Sequence, residues 1–135
     1  LYNLNNSKIA ISKFKKAIIY EGAKSCLKHA SYFGKDLDIS VACCGSNLIN
    51  YQVKLLLSLG VKEIIIALDK QFQEIGDEEW QKWVIKLKTL YYKYGNYVNI
   101  SYIFDKENLL AYKSSPIDEG KDKFLTLFNK RIIII

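Results

Sequence analysis

Short apolar runs alternate along this chain with segments of helical periodicity, and this alternation most limits how the chain can fold. The runs AIIY at residues 17–20 and IIIAL at 64–68 carry apolar or aromatic side chains at every position. A strand with one face in water would instead alternate polar and apolar residues, whereas continuous apolarity is typical of parallel strands covered on both faces. The pattern therefore predicts an open, mainly parallel, Rossmann-like sheet with helices on both faces.

Periodicity and turn residues place nine elements in the order α-β-α-β-α-β-α-β-α, which predicts a four-stranded sheet. Strands are predicted at residues 16–20, 39–44, 63–68 and 97–104. Helices are predicted at residues 5–14, 23–33, 48–59 and 80–94, and a last helix is predicted to begin at Ser115-Pro116 and to run through Phe128. The apolar stripe of the fourth helix, from Trp80 to Tyr94, is predicted to pack in the core.

The length of 135 residues fits a single domain, residues 1–135, with a lead-in helix at 1–15 and the core at 16–131. The chain begins at Leu1 and contains no Met, so we expect a fragment of a longer protein. No apolar run approaches the roughly 20 residues that span a bilayer, and three cysteines without metal-ligand spacing favour reduced thiols, which together predict a cytoplasmic protein without a membrane partner. A net charge of +6 favours a polyanionic partner only mildly.

Three of the predicted strands are followed by an acid: Glu21, Asp69 and Asp105. Because parallel strands end at a common edge of the sheet, where ligand sites gather, Glu21 and Asp69 are expected to lie together. Two carboxylates about 5 Å apart repel by roughly 3 kcal/mol at an effective dielectric near 20. Either one carboxylate binds a proton or a cation lies between them. The alternative is that each acid only caps the helix after it, although Glu is a poor N-cap.

Mg²⁺ suits such an edge because it prefers oxygen ligands and is usually held by one or two carboxylates together with substrate phosphates. Gly22 follows Glu21 directly. Since glycine has no side chain, a phosphate or a metal-bound water could approach the backbone there.

The order of these segments resembles the toprim domain shared by primases, topoisomerases and some nucleases. Glu21-Gly22 follows the first strand, Gly45-Ser46 the second and Asp69 the third. The opening LYNLNNSKIAISKFKKAIIYEG is similar to the lead-in of the toprim core in bacterial and phage DNA primases, and FDKENLLAYKSSPIDEG is similar to a later segment. The resemblance covers residues 1–69 well and 100–120 less closely.

The resemblance implies Mg²⁺- or Mn²⁺-dependent nucleotidyl transfer, in which RNA primers are made on a single-stranded DNA template. Glu21 and Asp69 would be the catalytic residues, and Gln71 would join them as a metal ligand. Implied partners are the template, nucleoside triphosphates and a replicative helicase, in a phage or a mobile element. The residues implied to contact nucleic acid or phosphate are Gly22, Lys24, Gly45, Ser46, Lys70 and Lys113.

The chain departs from the toprim pattern at the second acid of the Asp-x-Asp pair, where Gln71 stands. A glutamine offers a carbonyl oxygen but no charge, so metal affinity should fall. Two alternatives therefore stay open: a catalytically degenerate toprim domain that binds nucleic acid or a replication partner, and a toprim-type nuclease. The chain alone is expected to be nearly inactive as a primase, since it has no template-holding subdomain.

Overall fold

The computed structural model describes residues 1–45 and 48–134 and shows an α/β fold built on one sheet. The helices are α1 (Leu4–Phe14), α2 (Ala23–Phe33), α3 (Asn50–Ser58), α4 (Glu78–Tyr94) and α5 (Lys121–Asn129), with a short 3₁₀ turn at Lys35–Leu37. The strands are β1 (Lys16–Tyr20), β2 (Ser40–Ala42), β3 (Glu63–Ala67), β4 (Asn99–Tyr102) and β5 (Ile132–Ile134).

The sheet has the strand order β2-β1-β3-β4-β5, so the two strands predicted to be most apolar lie at its centre. β1 pairs in parallel with both β2 and β3, and β3 pairs in parallel with β4. Residues 17–20 of β1 and 64–67 of β3 are all buried. This confirms the inference from continuous apolarity, since both strands are covered on two faces.

Helices cover both faces because the connections run in opposite directions along the sheet. The connection through α2 joins β1 to β2 and runs toward one edge of the sheet. The connections through α3 and α4 join β2 to β3 and β3 to β4 and run toward the other edge. Because crossovers are right-handed, α2 lies on one face of the sheet and α3 and α4 lie on the other. On one face the aromatic rings of α2 and α5 meet, with His29 and Phe124 5.6 Å apart. On the other face the Tyr94 hydroxyl of α4 donates to the carbonyl of Leu48, just before α3, at 3.2 Å.

The prediction of four strands was wrong, because β5 adds a fifth strand at the edge of the sheet. Its residues pair antiparallel with β4, and Tyr102 lies opposite Ile132. The predicted core ends at residue 131, just before these isoleucines. β-branched residues favour an extended backbone wherever a free strand edge is available, and β4 provides one.

The last helix begins at Lys121 and not at Ser115-Pro116, which corrects a second prediction. Gly120, just before it, has φ +107, a conformation that side-chain-bearing residues rarely adopt and that does not occur in a helix. Pro116 and Ile117 are buried in the segment before Gly120. The residues expected to form a helical turn instead form a loop that packs onto the body of the domain.

The stripe on α4 is confirmed as core: Trp83, Leu87, Leu90 and Tyr94 are all buried. Asp77 caps the helix, since its side chain accepts from the Trp80 N–H at 2.7 Å. None of the helices in the described part of the chain is long and apolar enough to cross a membrane.

Candidate active site

Glu21 and Asp69 meet at the carboxyl edge of the sheet, as the strand pattern predicts. Tyr20 is in register with Ala67, so the residues that follow these two leave the sheet side by side. The carboxyl group of Asp69 is hydrogen-bonded to that of Glu21, and both residues are partly buried. The two side chains come from distant parts of the sequence and form one acidic pair.

Burial raises the pKa of Asp69 to about 7, and the hydrogen bond to Glu21, the charge of Glu21 and the charge of Asp118 all act in the same direction. A carboxyl group behaves in this way when its charged form is poorly solvated and a like charge lies beside it. Near neutral pH Asp69 therefore holds a proton for much of the time. The repulsion inferred from the sequence is relieved by protonation in the absence of a cation.

The start of α2 lies beside Glu21 and leaves open space next to the acidic pair. Glu21 lies immediately before Gly22, the N-cap of α2, where the positive end of the helix dipole stabilises an anion. An added Cβ on Gly22 would meet no atom within 4 Å. The backbone next to the acidic pair is therefore open, as the prediction for Gly22 requires, although its contact with phosphate stays a prediction.

The loop before α5 brings a third acid, Asp118, close to the pair. Its carboxylate accepts from Lys28 Nζ at 2.9 Å and from the Ser115 N–H at 2.8 Å. The Ser25 hydroxyl donates to the Ser115 hydroxyl oxygen at 2.8 Å, which ties the loop to α2. The charge of Asp118 helps to raise the pKa of Asp69, so the loop contributes to the electrostatics of the candidate site.

Asp105, the third acid that follows a predicted strand, does not join the acidic pair. It is 3% exposed and forms a salt bridge of 2.9 Å with Lys70. Its oxygens also accept from the N–H groups of Leu109 and Leu110, at 2.7 and 2.8 Å. The alternative of a local structural role is the better description of this acid.

Lys70 is also placed differently from its predicted role in phosphate binding. Its ammonium group donates to Asp105, to the carbonyl of Leu110 at 2.9 Å and to the side-chain oxygen of Asn108. An ammonium group has three donors, and here all three are used. With 3% of the residue exposed, Lys70 has neither a free donor nor access to a phosphate, and the geometry does not support that assignment.

The other two predicted lysines are exposed. Lys24 lies in the first turn of α2, three residues after Glu21. Lys113 has φ +65, its N–H donates to the carbonyl of Lys70 at 2.9 Å, and its ammonium lies over the Tyr112 ring at 5.5 Å. Both could reach a ligand at the carboxyl edge, and their phosphate contacts stay predictions.

Gln71 is turned partly toward its own backbone, because its amide nitrogen donates to the carbonyl of Asp69 at 3.3 Å. Gly45 is exposed and its carbonyl accepts from the Cys43 thiol at 3.0 Å. Burial raises the pKa of Cys43, and the nearby Glu21 acts in the same direction, so the end of β2 borders the acidic pair. Ser46 lies outside the described residues.

Residues of the candidate site that the sequence pattern missed come from contacts between distant segments. Asp118 lies in the segment FDKENLLAYKSSPIDEG but is not among the predicted site residues, and its partner Lys28 is 90 positions away. The acid in SSPIDEG was the available signal, since it lies in a polar loop after a parallel strand, where loops border ligand sites. No local signal pointed to Lys28.

Within residues 1–45 and 48–134, no group of three His, Cys, Asp or Glu side chains is arranged to hold a metal ion. The pair of Glu21 and Asp69 still suits a hard cation of the Mg²⁺ type, which needs one or two carboxylates and completes its shell with water or phosphate. A divalent cation would also relieve the repulsion that now holds a proton on Asp69.

Comparison with solved structures identifies the architecture. The chain superposes on the RNA polymerase domain of Mycobacterium tuberculosis primase DnaG in complex with double-stranded DNA, with a TM-score of 0.63 and 18% identity over 96% of this chain and 38% of that one. A similar match is found to the zinc-binding and RNA polymerase domains of the Aquifex aeolicus primase, with a TM-score of 0.63 and 21% identity over 98% of this chain and 30% of that one. The chain has a primase-like fold.

Among curated proteins, the chain is similar to the SPbeta prophage-derived uncharacterized protein YorJ of Bacillus subtilis (strain 168). The two are 39% identical over 144 aligned positions, which cover 99% of this chain and 37% of YorJ. The chain therefore spans little more than a third of that relative, and similarly limited parts of the primase structures. No model of a known protein family matches the sequence.

Proposed function

We propose that the chain is the nucleotidyl-transfer core of a primase-like protein, with the toprim arrangement, and that Glu21 and Asp69 bind Mg²⁺ or Mn²⁺ at the carboxyl edge of the sheet. The observation that carries the proposal is the half-buried acidic pair, in which burial and Glu21 raise the pKa of Asp69 to about 7. A strongly shifted carboxyl group at an open edge is typical of a functional site. The fold shared with DnaG polymerase domains and the resemblance to a prophage protein support the same assignment.

In this proposal the acidic pair binds the cation in exchange for the proton on Asp69. Asp69 would give up its proton when the cation binds, and Glu21, at the start of α2, would be the second carboxylate ligand. A bound Mg²⁺ would act as a Lewis acid on phosphate oxygens and activate the primer 3′-hydroxyl. Gly22 keeps the adjacent backbone accessible, and the exposed Lys24 and Lys113 would contact phosphates of the template or of a nucleoside triphosphate.

Isothermal titration calorimetry of the chain with Mn²⁺, carried out in two buffers of different ionisation enthalpy, tests the site. We expect binding with proton release, because the proton on Asp69 competes with the metal. The Glu21→Gln/Asp69→Asn variant should lose about tenfold or more in affinity, since both charged ligands are removed. Asp36→Asn/Asp122→Asn removes the same charge from exposed positions elsewhere and should leave affinity unchanged. Equal affinity in all three proteins would remove the basis of the proposal.

A second candidate function is nucleic-acid binding without catalysis, and the position of Gln71 favours it. The residue supplies no charge, and its amide is engaged with the Asp69 carbonyl. Incubating the longest natural protein that contains this chain with a labelled single-stranded template, nucleoside triphosphates and Mn²⁺ separates the candidates. Extension supports a primase, cleavage a toprim-type nuclease, and binding alone a degenerate domain. A replicative helicase and primer synthesis stay predictions.

A further inference from the structure

A groove between α3 and α4, formed by residues that the candidate active site does not use, has the composition of a nucleic-acid site. Its volume is about 430 Å³. Val53 and Tyr94 are buried at its base, and Lys54, Lys93 and Tyr97 are exposed on its walls. The groove therefore combines an apolar base with positively charged and aromatic walls.

The walls of the groove are held in place by a side chain at its base. The Tyr94 hydroxyl donates to the Asn50 side-chain oxygen at 2.9 Å and to the carbonyl of Leu48 at 3.2 Å. This ties the end of α4 to the start of α3. The Lys93 ammonium lies 5.3 Å from the centre of the Tyr94 ring, so its position along the groove is also defined.

The charged side chains that line the groove, Lys54 and Lys93, are both positive. The sequence has no Asp or Glu from residue 39 to 62 or from residue 80 to 104, and the groove is lined only from these two stretches. In the part of the chain that the structure describes, neither Lys54 nor Lys93 forms an ion pair. Uncompensated lysines facing one groove favour an anionic ligand.

The exposed aromatic side chain of Tyr97 indicates which kind of anionic ligand the groove would bind. Tyr97 is 73% exposed and lines the groove together with the two lysines. Exposed aromatic rings beside positive charges are the means by which proteins bind single strands, because unpaired bases stack on the rings while lysines contact phosphates. A double helix keeps its bases stacked internally and would leave the Tyr97 ring unused.

We infer that the groove between α3 and α4 binds a single strand of nucleic acid, with a base stacked on Tyr97 and phosphates at Lys54 and Lys93. This site is separate from the acidic pair and needs no metal. It deepens the second candidate function, nucleic-acid binding, by assigning a strand to this groove, and the groove would hold a strand whether or not the chain transfers nucleotides.

Fluorescence anisotropy of the chain with a labelled oligothymidylate of about 12 nucleotides, in EDTA and over a range of salt, tests the inference. Lys54→Ala/Lys93→Ala is expected to weaken binding by about tenfold or more and to reduce the slope of log affinity against log salt by about 1.4, or 0.7 for each lost contact. The matched control, Lys35→Ala/Lys106→Ala, removes two exposed lysines elsewhere and should change affinity by less than about twofold.

Tyr97 supplies a second and independent measurement. Tyr97→Ala is expected to weaken binding by about tenfold because stacking is lost, and Tyr97→Phe should retain it because the ring is kept. Circular dichroism would verify that each variant is folded, as expected for an exposed side chain.

The inference is overturned if the chain does not bind the strand, if the control lysines matter as much as the groove lysines, or if Tyr97→Ala binds as well as the unaltered chain. Glu21→Gln/Asp69→Asn should bind the strand normally in EDTA. A failure of metal binding and a failure of strand binding are thus separate results, and neither implies the other.

Discussion

Two acidic positions at the same edge of the sheet, Asp69 and Asp105, share a sequence signature and have opposite environments. Each follows an apolar strand. Asp105 is buried, and Lys70 together with two backbone N–H groups surrounds it. Asp69 is partly buried beside Glu21, a group of like charge, which contributes to the rise of its pKa to about 7.

The difference separates structural from functional acids on physical grounds. A buried carboxylate whose charge is neutralised by a lysine and whose two oxygens both accept hydrogen bonds is not accessible to a ligand. A carboxyl group whose neighbour repels it is held in an unfavourable state that a cation would relieve. The strand-end signature locates both kinds of acid, and the partner of each acid decides which kind it is.

The largest expected effect comes from removing the countercharge of Asp105. Lys70→Met should lower the free energy of unfolding by about 3 kcal/mol or more, because a buried charge is left without its partner. Urea-induced unfolding measures this. Lys24→Met removes an exposed lysine near the same edge and should change stability by less than about 0.5 kcal/mol.

Adding Asp105→Asn to Lys70→Met should recover part of the loss, because the unpaired charge is then absent while an acceptor for the backbone N–H groups remains. If Lys70→Met were no more destabilising than Lys24→Met, the claim that Asp105 is a structural acid neutralised by Lys70 would be contradicted.

A smaller effect of the opposite sign is expected at the acidic pair. The pKa of Asp69 is higher in the folded protein than in the unfolded chain, so the native state binds more protons between about pH 4 and 7 and stability falls as pH rises through that window. Asp69→Asn, measured in EDTA at pH 8, should therefore be more stable than the unaltered chain by about 1 kcal/mol, once solvent screening is allowed for. At pH 4 the difference should vanish.

Burial also lowers the pKa of His29 to about 4, which destabilises the fold as pH falls below about 6.5. This effect is the same in both proteins and cancels in their difference. Asp36→Asn, at an exposed acid, serves as the control and should show no pH-dependent gain. A constant difference between Asp69→Asn and the unaltered chain across pH would contradict the strained-pair description.

The smallest expected effect concerns the loop acid Asp118. Lys28→Met should cost less than about 0.5 kcal/mol of stability, because the Lys28–Asp118 pair is largely exposed. It should nevertheless raise the pKa of Asp69, since Asp118 then acts on it without its countercharge, and Asp118→Asn should lower that pKa. Carboxyl ¹³C titration by NMR measures both shifts. Unchanged titration in the two variants would show that the loop does not act on the pair.

Much of the fold could be predicted from local patterns. The continuous apolar runs placed β1 and β3 inside a parallel sheet, and the prediction that the α4 stripe packs in the core is confirmed. The errors arose where a distant contact decides the local structure. The fifth strand exists because β4 offers an open edge, and residues 115–118 form a loop because Ser25 and Lys28 bind them.

By itself, the sequence determined that parallel strands would deliver Glu21 and Asp69 to one edge, because periodicity and strand direction are local properties of the chain. Only the tertiary structure decided that Lys70 neutralises Asp105, and that Glu21 and Asp69 lie side by side without a lysine between them in the described residues. The physical reason is that the charge state of a carboxyl group depends on the groups within a few ångströms of it in space, and those groups are up to 90 positions away in the sequence, as in the Lys28–Asp118 pair.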